Sequence, residues 1–337
     1  MILKINNKEF DFFNNVNVQM TFDGIASSFS FDAVFNPEDE EHKKLFRPLR
    51  YSKIEIEHNG ETLITGRKIG SGFKSAAKKT TSTINGYSLT GVLNDCTIPL
   101  SVYPLQADGL TLKEVAEKLL KPFDIAVVID SAVKDAANAV LETTEAKATG
   151  SVASYLTTLA AQKSIIVSHT SRGALLLTEA KPNRRPVGDL SNAIEKTLSA
   201  NGQQLHSYIA VLKDATITGG NAGEEELDNP LIDSFRPKVA EQKSGTDVDT
   251  ELVAKQIRAA ELKAITLTIK LDSWMLGDKV LRPNIIVSVH DHEIYLYNKT
   301  NWFVQSVTLL GNEKEQTAVL KCVLPEVYTL KTPSNPF

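Results

Sequence analysis

The sequence predicts a mostly β, α+β protein in which two related antiparallel β-barrel domains flank a small α/β insert. Three observations lead to this fold class. Residues 1–98 contain short runs in which apolar and polar residues alternate, and Pro230–Phe337 returns to the same pattern. Alternation with a period of two is typical of strands with one buried face. Between these regions, residues 99–186 change to a period of 3.6, which indicates amphipathic helices.

The composition is that of an ordinary globular protein, with 337 residues, of which 42% are hydrophobic and 23% are charged. A formal net charge of -4 argues against a dedicated nucleic-acid-binding protein, which normally carries a basic domain. No apolar run approaches the roughly 18 residues of a membrane-spanning helix. The first residues begin a strand rather than a signal peptide. Because Cys96 and Cys322 fall in different regions, we expect reduced thiols and a cytoplasmic site of synthesis.

Residues 1–98 are predicted to form about six or seven short strands, as barrels and sandwiches of this size do. The strongest local signal is Ile54–Gly66, where two alternating runs are joined by Asn59 and Gly60. An Asn-Gly pair between such runs predicts a β-hairpin. Only Pro37–Arg50 departs from the pattern, as a charged loop or a short helix.

The stretch Gly86–Pro99 marks the change of period. Two glycines, an Asn-Asp pair and a proline favour turns and a sharp exit of the chain at a domain edge. As the closing strand and exit turn of the first barrel, it should bury two leucines and pack a cysteine beside them, because a free Cys usually packs as a small hydrophobe. We predict that this structural boundary motif consists of Gly86, Leu89, Leu93, Asp95 and Cys96.

The insert is predicted to contain two helices on a short sheet. Thr111 and Glu114 have the spacing of a capping box at the start of the first helix, and Ser151 opens the second. A strand at Ile125–Ile129 follows the first helix. A hairpin at Ile165–Thr178 closes the unit.

After a proline-containing linker, Lys181–Pro186, two strands are predicted to return to the first barrel, so that residues 1–98 and about 187–220 form one domain. The insert occupies 99–186, and the second barrel, with a helical excursion, occupies 221–337. The acidic stretch Gly219–Glu226 is predicted to be a flexible loop. The remaining predicted elements are a helix at Asp249–Lys263 and strands at Ile265–Ile269, Asn284–Val289, Ile294–Tyr297, Trp302–Leu310 and Ala318–Leu324.

Two groups of residues have side chains of the types found in metal or catalytic sites. His290–Glu293 contains metal-ligand residue types, but it lacks a third partner at a specific spacing. Asp108, Asp124 and Asp130 flank the insert helices and could imitate the carboxylate pair of a glycosidase, which requires a cleft that the sequence cannot supply.

A third constellation resembles a phosphate-binding loop. Gly70–Gly72 precedes Lys74, Lys78 and Lys79, but the order GxxxxGK[ST] is missing and no helix follows, so that a basic hairpin tip is the simpler interpretation. We therefore predict no catalytic residue, cofactor or metal, and a protein that is not an enzyme.

Gly86–Cys96 resembles the Gly-Arg-Ser-x-Thr-x-Asp-Leu-x-Asp-Cys type of segment that ends the N-terminal barrel of baseplate hub proteins of contractile-tailed phages, particularly the phage Mu-like hub. Tyr87 stands in place of the arginine, and Val92 in place of the first aspartate. The order of the later features also resembles this family. They are Gly109–Leu112, Ser151–Ala161, Gly173–Leu177, Trp274, Gly277, Leu281–Asn284, Trp302–Val307 and Leu324–Glu326.

The resemblance implies a structural virion protein: a homotrimer whose two barrels alternate around a ring, adapting the hexameric tail tube to the trimeric central spike. It implies as partners the tail tube protein, the central spike protein, other baseplate proteins and, as a further candidate, a tape-measure protein. DNA would meet the hub only in transit through the channel, and no membrane insertion is expected. The expected location is the tail baseplate of the virion, after assembly in the host cytoplasm.

Two alternatives stay open. The chain could be a cell-wall-binding or cell-wall-degrading tail protein with its site in the α/β insert. It could also be the hub of a phage-derived bacteriocin or related contractile injection device.

Overall fold

The computed structural model describes residues 1–10, 13–75, 81–103, 109–141, 150–213, 221–242, 250–312 and 314–337. The chain forms two compact units, each assembled from segments that are separate in the sequence. Unit 1 comprises Met1–Glu179, Asp272–Pro283 and Ser306–Ala318; unit 2 comprises Ala180–Leu271, Asn284–Gln305 and Val319–Phe337.

The described residues form twenty strands and seven α-helices. The strands are β1 (Ile2–Ile5), β2 (Lys8–Glu9), β3 (Phe13–Thr21), β4 (Ser28–Val34), β5 (Lys53–His58), β6 (Glu61–Lys74), β7 (Thr81–Ser88), β8 (Val127–Ile129), β9 (Ile166–His169), β10 (Leu175–Thr178), β11 (Glu195–Ala200), β12 (Tyr208–Lys213), β13 (Asn221–Asp228), β14 (Pro237–Gln242), β15 (Ile265–Leu271), β16 (Met275–Leu276), β17 (Lys279–Val280), β18 (Ile285–Asp291), β19 (Leu296–Gly311) and β20 (Gln316–Val323). The helices are α1 (Glu40–Phe46), α2 (Val92–Asp95), α3 (Leu112–Leu120), α4 (Lys134–Ala137), α5 (Val152–Gln162), α6 (Thr250–Leu262) and α7 (Glu326–Thr329).

Unit 1 is built on an antiparallel sheet in the order β19–β3–β4–β7–β6–β5–β1–β2, to which β19 contributes Ser306–Gly311. Alternating side chains such as Phe29 and Phe31 are almost fully buried, as the period of two predicts. The predicted hairpin is confirmed as β5 and β6. Asn59 and Gly60 both have positive φ, at 50° and 76°, as the two central residues of a type I′ turn require.

The insert lies within unit 1 and has the predicted plan. Helices α3 and α5 accompany a three-stranded sheet in the order β8–β10–β9, and their apolar stripes join one buried cluster. The capping box is present: Glu114 N donates to Thr111 Oγ1 at 3.2 Å, and Thr111 N donates to Glu114 Oε2 at 2.8 Å. Ser151 caps α5 by accepting from Ser154 N at 3.1 Å.

Unit 2 contains strands in the order β11–β15–β20–β19, with β18 also paired to β19, and a separate sheet in the order β13–β12–β14. Helix α6 contributes to the core of the second sheet, where Ile209, Val211 and Ala254 are buried together. Strands β19 and β20 each supply residues to both units. Among the described helices, none is long and apolar enough to cross a membrane.

The mostly β class with an α/β insert is confirmed, but closed barrels are not, because the described strands form open sheets. Closure depends on which distant strands pair, and alternation within a strand carries no such information. The stretch Gly86–Pro99 also differs from the predicted closing strand. Strand β7 ends at Ser88, a 3-10 turn covers Leu89–Gly91, and α2 follows.

Three further expectations are corrected. Part of the segment 187–220, predicted to return to the first barrel, lies in unit 2, where β11 pairs with β15. The acidic stretch predicted as a loop is largely strand β13, because backbone groups pair with β12 whatever the side-chain charge; its first two residues, 219 and 220, lie outside the described residues. The two strands predicted at Ile294–Tyr297 and Trp302–Leu310 are one continuous strand, β19.

Candidate functional site

The predicted boundary motif lies where the first sheet of unit 1 passes into the insert, a place we call the junction (Gly86–Cys96 and the residues that contact it). Leu93 is fully buried and belongs to the core of the insert. Leu89 is half-buried against Gly173, where an added Cβ would come within 2.6 Å of Leu89 Cδ1. The expected apolar surroundings of the two leucines are present, while the role of the motif as a boundary remains a prediction.

Gly86 is required by a close approach of neighbouring backbone. A Cβ at this position would lie 2.0 Å from Arg67 O on the paired strand and 2.6 Å from Phe29 Cζ. Real Cβ atoms do not tolerate such distances, so any larger residue would push β6 and β7 apart. The glycine thus allows the last residues of β7 to pair tightly before the chain turns.

Tyr87 and Asp95 fold the turn back on itself. The Tyr87 hydroxyl donates to Asp95 Oδ2 at 2.5 Å, and a Cβ at Gly91 would lie 2.2 Å from the Tyr87 ring. Burial raises the pKa of Tyr87, and its hydrogen bond to Asp95 acts in the same direction. Tyr87, which stands where the hub-type segment has an arginine, therefore supplies Asp95 with a hydrogen-bond donor.

Cys96 ties the end of the junction to the second insert helix through its backbone. Its carbonyl accepts from Val152 N at 3.1 Å, and Thr97 forms a bridge with Ser151, the cap of α5. Both Cys96 and Cys322 are free; Cys96 is partly exposed, whereas Cys322 is buried and burial raises the pKa of its thiol.

A hydrogen-bonded cluster that the sequence did not reveal joins the β3–β4 loop to the closing hairpin of the insert. His169 Nδ1 lies 3.0 Å from Gly24 O, and its Nε2 lies 2.6 Å from Ser27 Oγ. Because a carbonyl only accepts, Nδ1 carries the proton and Nε2 accepts from the Ser27 hydroxyl. Ser168 Oγ adds a bond of 2.5 Å to Phe22 O.

The Ser27–His169 pair has the spacing of a nucleophile and its general base, but its surroundings do not fit that chemistry. Ser27 is only 3% exposed, so a substrate cannot approach its oxygen, and the group behind His169 is a backbone carbonyl rather than a carboxylate. Burial lowers the pKa of His169 and favours the neutral ring. The arrangement is suited to holding the insert on the first sheet.

The residues considered above as metal ligands or catalytic carboxylates lie apart from one another or form structural contacts. Asp291 forms an ion pair with Lys196 at 3.0 Å, and among the described residues no group of His, Cys, Asp or Glu is placed to hold a metal. Asp130 Oδ1 accepts from Ala132 N, and its Oδ2 accepts from Thr178 Oγ1.

The other weighed residues are placed as follows. Asp124 ends a 3-10 turn with a φ of 55°. Gly70–Gly72 runs within strand β6, and the next described element is strand β7 rather than a helix. Asp108, Lys78 and Lys79 lie outside the part of the chain that the structure describes.

Comparison with known proteins places the junction and the insert in context. Residues 90–179 match the family model described as baseplate hub protein gp44-like, second domain. No curated protein sequence matches the chain significantly. The matched segment begins inside the junction and ends with the closing hairpin, so the resemblance to baseplate hub proteins is confirmed for this part of the chain.

Solved structures share the fold over nearly the whole length. The 43 kDa tail protein of prophage MuSo2 from Shewanella oneidensis has a TM-score of 0.81 at 18% identity, covering 97% of this chain and 98% of its own. The tail protein from Neisseria meningitidis MC58 has a TM-score of 0.80 at 20% identity, covering 98% of each chain. The E. coli c3393 protein, a type VI secretion system component, has a TM-score of 0.56 at 11% identity, covering 99% of this chain and 80% of its own.

Proposed function

We propose that the protein is a structural hub of a phage-type tail baseplate. In this proposal it is a homotrimer that adapts the hexameric tail tube to the trimeric central spike around the tail channel. The observation that carries it is a hub-type domain at residues 90–179 within a chain whose fold matches tail proteins from end to end. The proposed location is the virion, after assembly in the host cytoplasm.

The polar ties at the junction support this function, because they hold the insert to the sheet and bury the Ser27 hydroxyl. An adaptor must keep its domains in fixed positions, so its polar clusters should be buried and their groups hydrogen-bonded to one another. The His169 cluster has these properties. The net charge of -4 is compatible with DNA passing through a lumen, since a strongly basic lining would retain it. Tail tube, central spike, other baseplate proteins and a tape-measure protein are the proposed partners.

Native mass spectrometry of the purified chain tests the proposal. The expected result is a particle of three times the chain mass, which persists when the hub is incorporated into assembled tails. A purified chain that stays monomeric and is absent from assembled tails would contradict it. A zymogram against peptidoglycan tests the rival enzyme: a cleared band from the pure protein would favour a cell-wall-degrading tail protein.

A further inference from the structure

Within the described residues, the three-stranded sheet of unit 2 packs a helix, α6, against one of its faces only. Ile209 and Val211 of β12 point to α6, and the intervening residues Tyr208, Ala210 and Leu212 lie on the opposite face. There the parallel register sets Ala210 beside Val239, which is 58% exposed. We call this surface, on which Tyr208, Ala210 and Leu212 are half-buried, together with the preceding Phe235, the bare face.

Phe235 is the most exposed part of the bare face. It is 81% exposed, and its ring centre lies 6.0 Å from that of Tyr208. Aromatic side chains held in this way are common anchors of protein interfaces, where they fill a partner's surface and lose little conformational entropy. A single exposed apolar residue needs no explanation, but a contiguous apolar sheet face does.

The rim of the bare face is acidic. Asp228 stands opposite Tyr208 in the antiparallel register, while Asp233 precedes Phe235 and Glu241 follows Val239; all three are exposed. None of the ion pairs among the described residues involves these carboxylates. The face therefore fits a partner that presents apolar side chains between basic ones.

Unit 1 presents a surface of that kind in the segment Arg47–Tyr51, which we call the hook. Leu49 is 83% exposed and Tyr51 is 57% exposed, and Arg47 and Arg50 stand beside them. Neither Arg47 nor Arg50 forms an ion pair with a carboxylate of the described residues. Leu49 has a φ of 58°, a conformation that a leucine rarely adopts.

The hook is held at both ends, so that it is presented in one shape. At its start, Lys68 Nζ donates to Leu45 O at 3.2 Å and to Arg47 O at 2.8 Å. At its end, Arg67 Nη1 donates to Tyr51 O at 3.3 Å. A segment fixed before binding loses less conformational entropy when it docks.

We propose that the hook of one copy docks on the bare face of the next copy, with Leu49 against Phe235 and the hook arginines against the acidic rim. This inference rests on the proposed function, since it names the contact that joins the subunits of the trimer. Every copy carries one hook and one bare face, so the contact is head-to-tail, and such a contact closes into a ring when its rotation is a third of a turn. The apolar anchors hold the contact, and the charged rim sets its register and salt dependence.

Two single substitutions test the contact on the full-length chain. Leu49→Asp places a carboxylate against the acidic rim, and Phe235→Asp removes the aromatic anchor. Each is expected to reduce the native mass from three chains to one. The matched controls are Leu100→Asp in unit 1 and Val187→Asp in unit 2, at positions 86% and 54% exposed, and both should remain trimeric.

Mixing the two monomeric variants distinguishes a head-to-tail contact from a symmetric one. Leu49→Asp keeps an intact bare face and Phe235→Asp keeps an intact hook, so their mixture at high concentration should give a particle of two chains that grows no further. Circular dichroism checks that each variant is folded. If either is not, Arg50→Glu and Asp233→Arg replace them: each should weaken the trimer at least 10-fold, as about 1.4 kcal/mol would, and their combination should restore it.

The outcomes separate this inference from the proposed function. A wild-type trimer whose folded variants remain trimeric, or a mixture that gives no two-chain particle, overturns the docking of hook on bare face and leaves the trimeric hub standing. A wild-type chain that is monomeric in solution and in tails overturns both.

Discussion

Two three-stranded sheets in this chain pack against helices, and they differ in how much of their surface is buried. In the insert, β8–β10–β9 shares a large buried cluster with α3 and α5. Its hairpin is also tied to the first sheet, since Ser168 is 3% exposed and bonds to Phe22 O. In unit 2, β13–β12–β14 packs against one helix, α6, with a much smaller buried cluster, and in the described part of the chain no helix packs on its other face, the bare face.

This difference in burial predicts which region stabilises the single chain and which region contributes to the association of copies. A buried apolar residue contributes to the folded state of the single chain, whereas an exposed apolar residue contributes only when a partner covers it. Substitutions in the insert should therefore change the free energy of unfolding, and those on the bare face should change the association of copies. The following predictions test that separation, from the largest expected effect to the smallest.

Leu93→Ala should lower the free energy of unfolding by roughly 2–5 kcal/mol, because its side chain is fully buried in the insert core. Urea denaturation measures the loss. Cys96→Ala, three residues away and partly exposed, should cost less and leave assembly intact, while Val239→Ala on the bare face should fall within about 0.5 kcal/mol. Equal losses of unfolding free energy for Leu93→Ala and Val239→Ala would contradict the proposed difference between the insert core and the bare face.

Gly86→Ala should cost roughly 1–3 kcal/mol or more, because its Cβ would lie 2.0 Å from Arg67 O and the strands would have to part. Gly72→Ala is the matched control on the neighbouring strand, since nothing lies within 4 Å of a Cβ there. Thermal unfolding followed by circular dichroism compares the two. A Gly86→Ala variant as stable as Gly72→Ala would contradict the close approach at the junction.

His169 should make the insert sensitive to acid. Burial holds the pKa of His169 below its ordinary value of 6.5, so the unfolded chain takes up a proton first as the pH falls. Stability is then complete above pH 6.5 and is lost as the pH falls through the folded-state pKa. His169→Ala should cost roughly 1–3 kcal/mol at pH 7.5 by leaving Ser27 and Gly24 without their partner.

The test for His169 is the slope of stability against pH rather than stability at one pH. Between pH 7 and pH 5, the wild type should lose more stability than His169→Ala, measured by urea denaturation. The exposed His292 serves as the matched control for the substitution itself, and His292→Ala should unfold at nearly the wild-type urea concentration at pH 7.5. An identical slope for His169→Ala would show that this ring does not couple protons to folding.

Thr111→Ala should lower the free energy of unfolding by about 0.5–2 kcal/mol, because it removes the capping side chain of α3. Thr157→Ala, at an exposed position inside α5, should be neutral or slightly stabilising, because alanine is the better helix former. Chemical denaturation of both variants gives the comparison. A larger loss at Thr157 than at Thr111 would count against the capping box.

The elements that the sequence predicted well are those whose determinants are local. Thr111 and Glu114 are three residues apart, and Asn59 and Gly60 are adjacent, so a helix start and a hairpin turn could be found without knowing the rest of the fold. The burial of Leu93 could be expected for the same reason, while the role of the boundary motif stays a prediction. The change of period that predicts it lies within a single stretch of the sequence.

Pairing between distant segments could not be predicted in this way. Ser27 and His169 are 142 residues apart, and neither stands in a recognisable motif. Strand β11 pairs with β15 rather than with a strand of residues 1–98, and nothing in the alternation of β11 identifies its partner. The acidic residues before Asp228 were predicted to form a loop, because their own sequence does not show that their backbone pairs with strand β12.

Unit 1 is discontinuous, and this affects how the protein is made. Its first sheet is completed by Ser306–Gly311, which pairs with β3. The edge of β3 therefore stays unpaired until this segment, near the end of the chain, has been synthesised. From residue 179 to residue 311 the ribosome adds 132 residues, which takes roughly 7–26 s at about 5–20 residues per second. During that interval the nascent chain carries an unpaired strand edge, and such an edge can pair with other chains and cause aggregation.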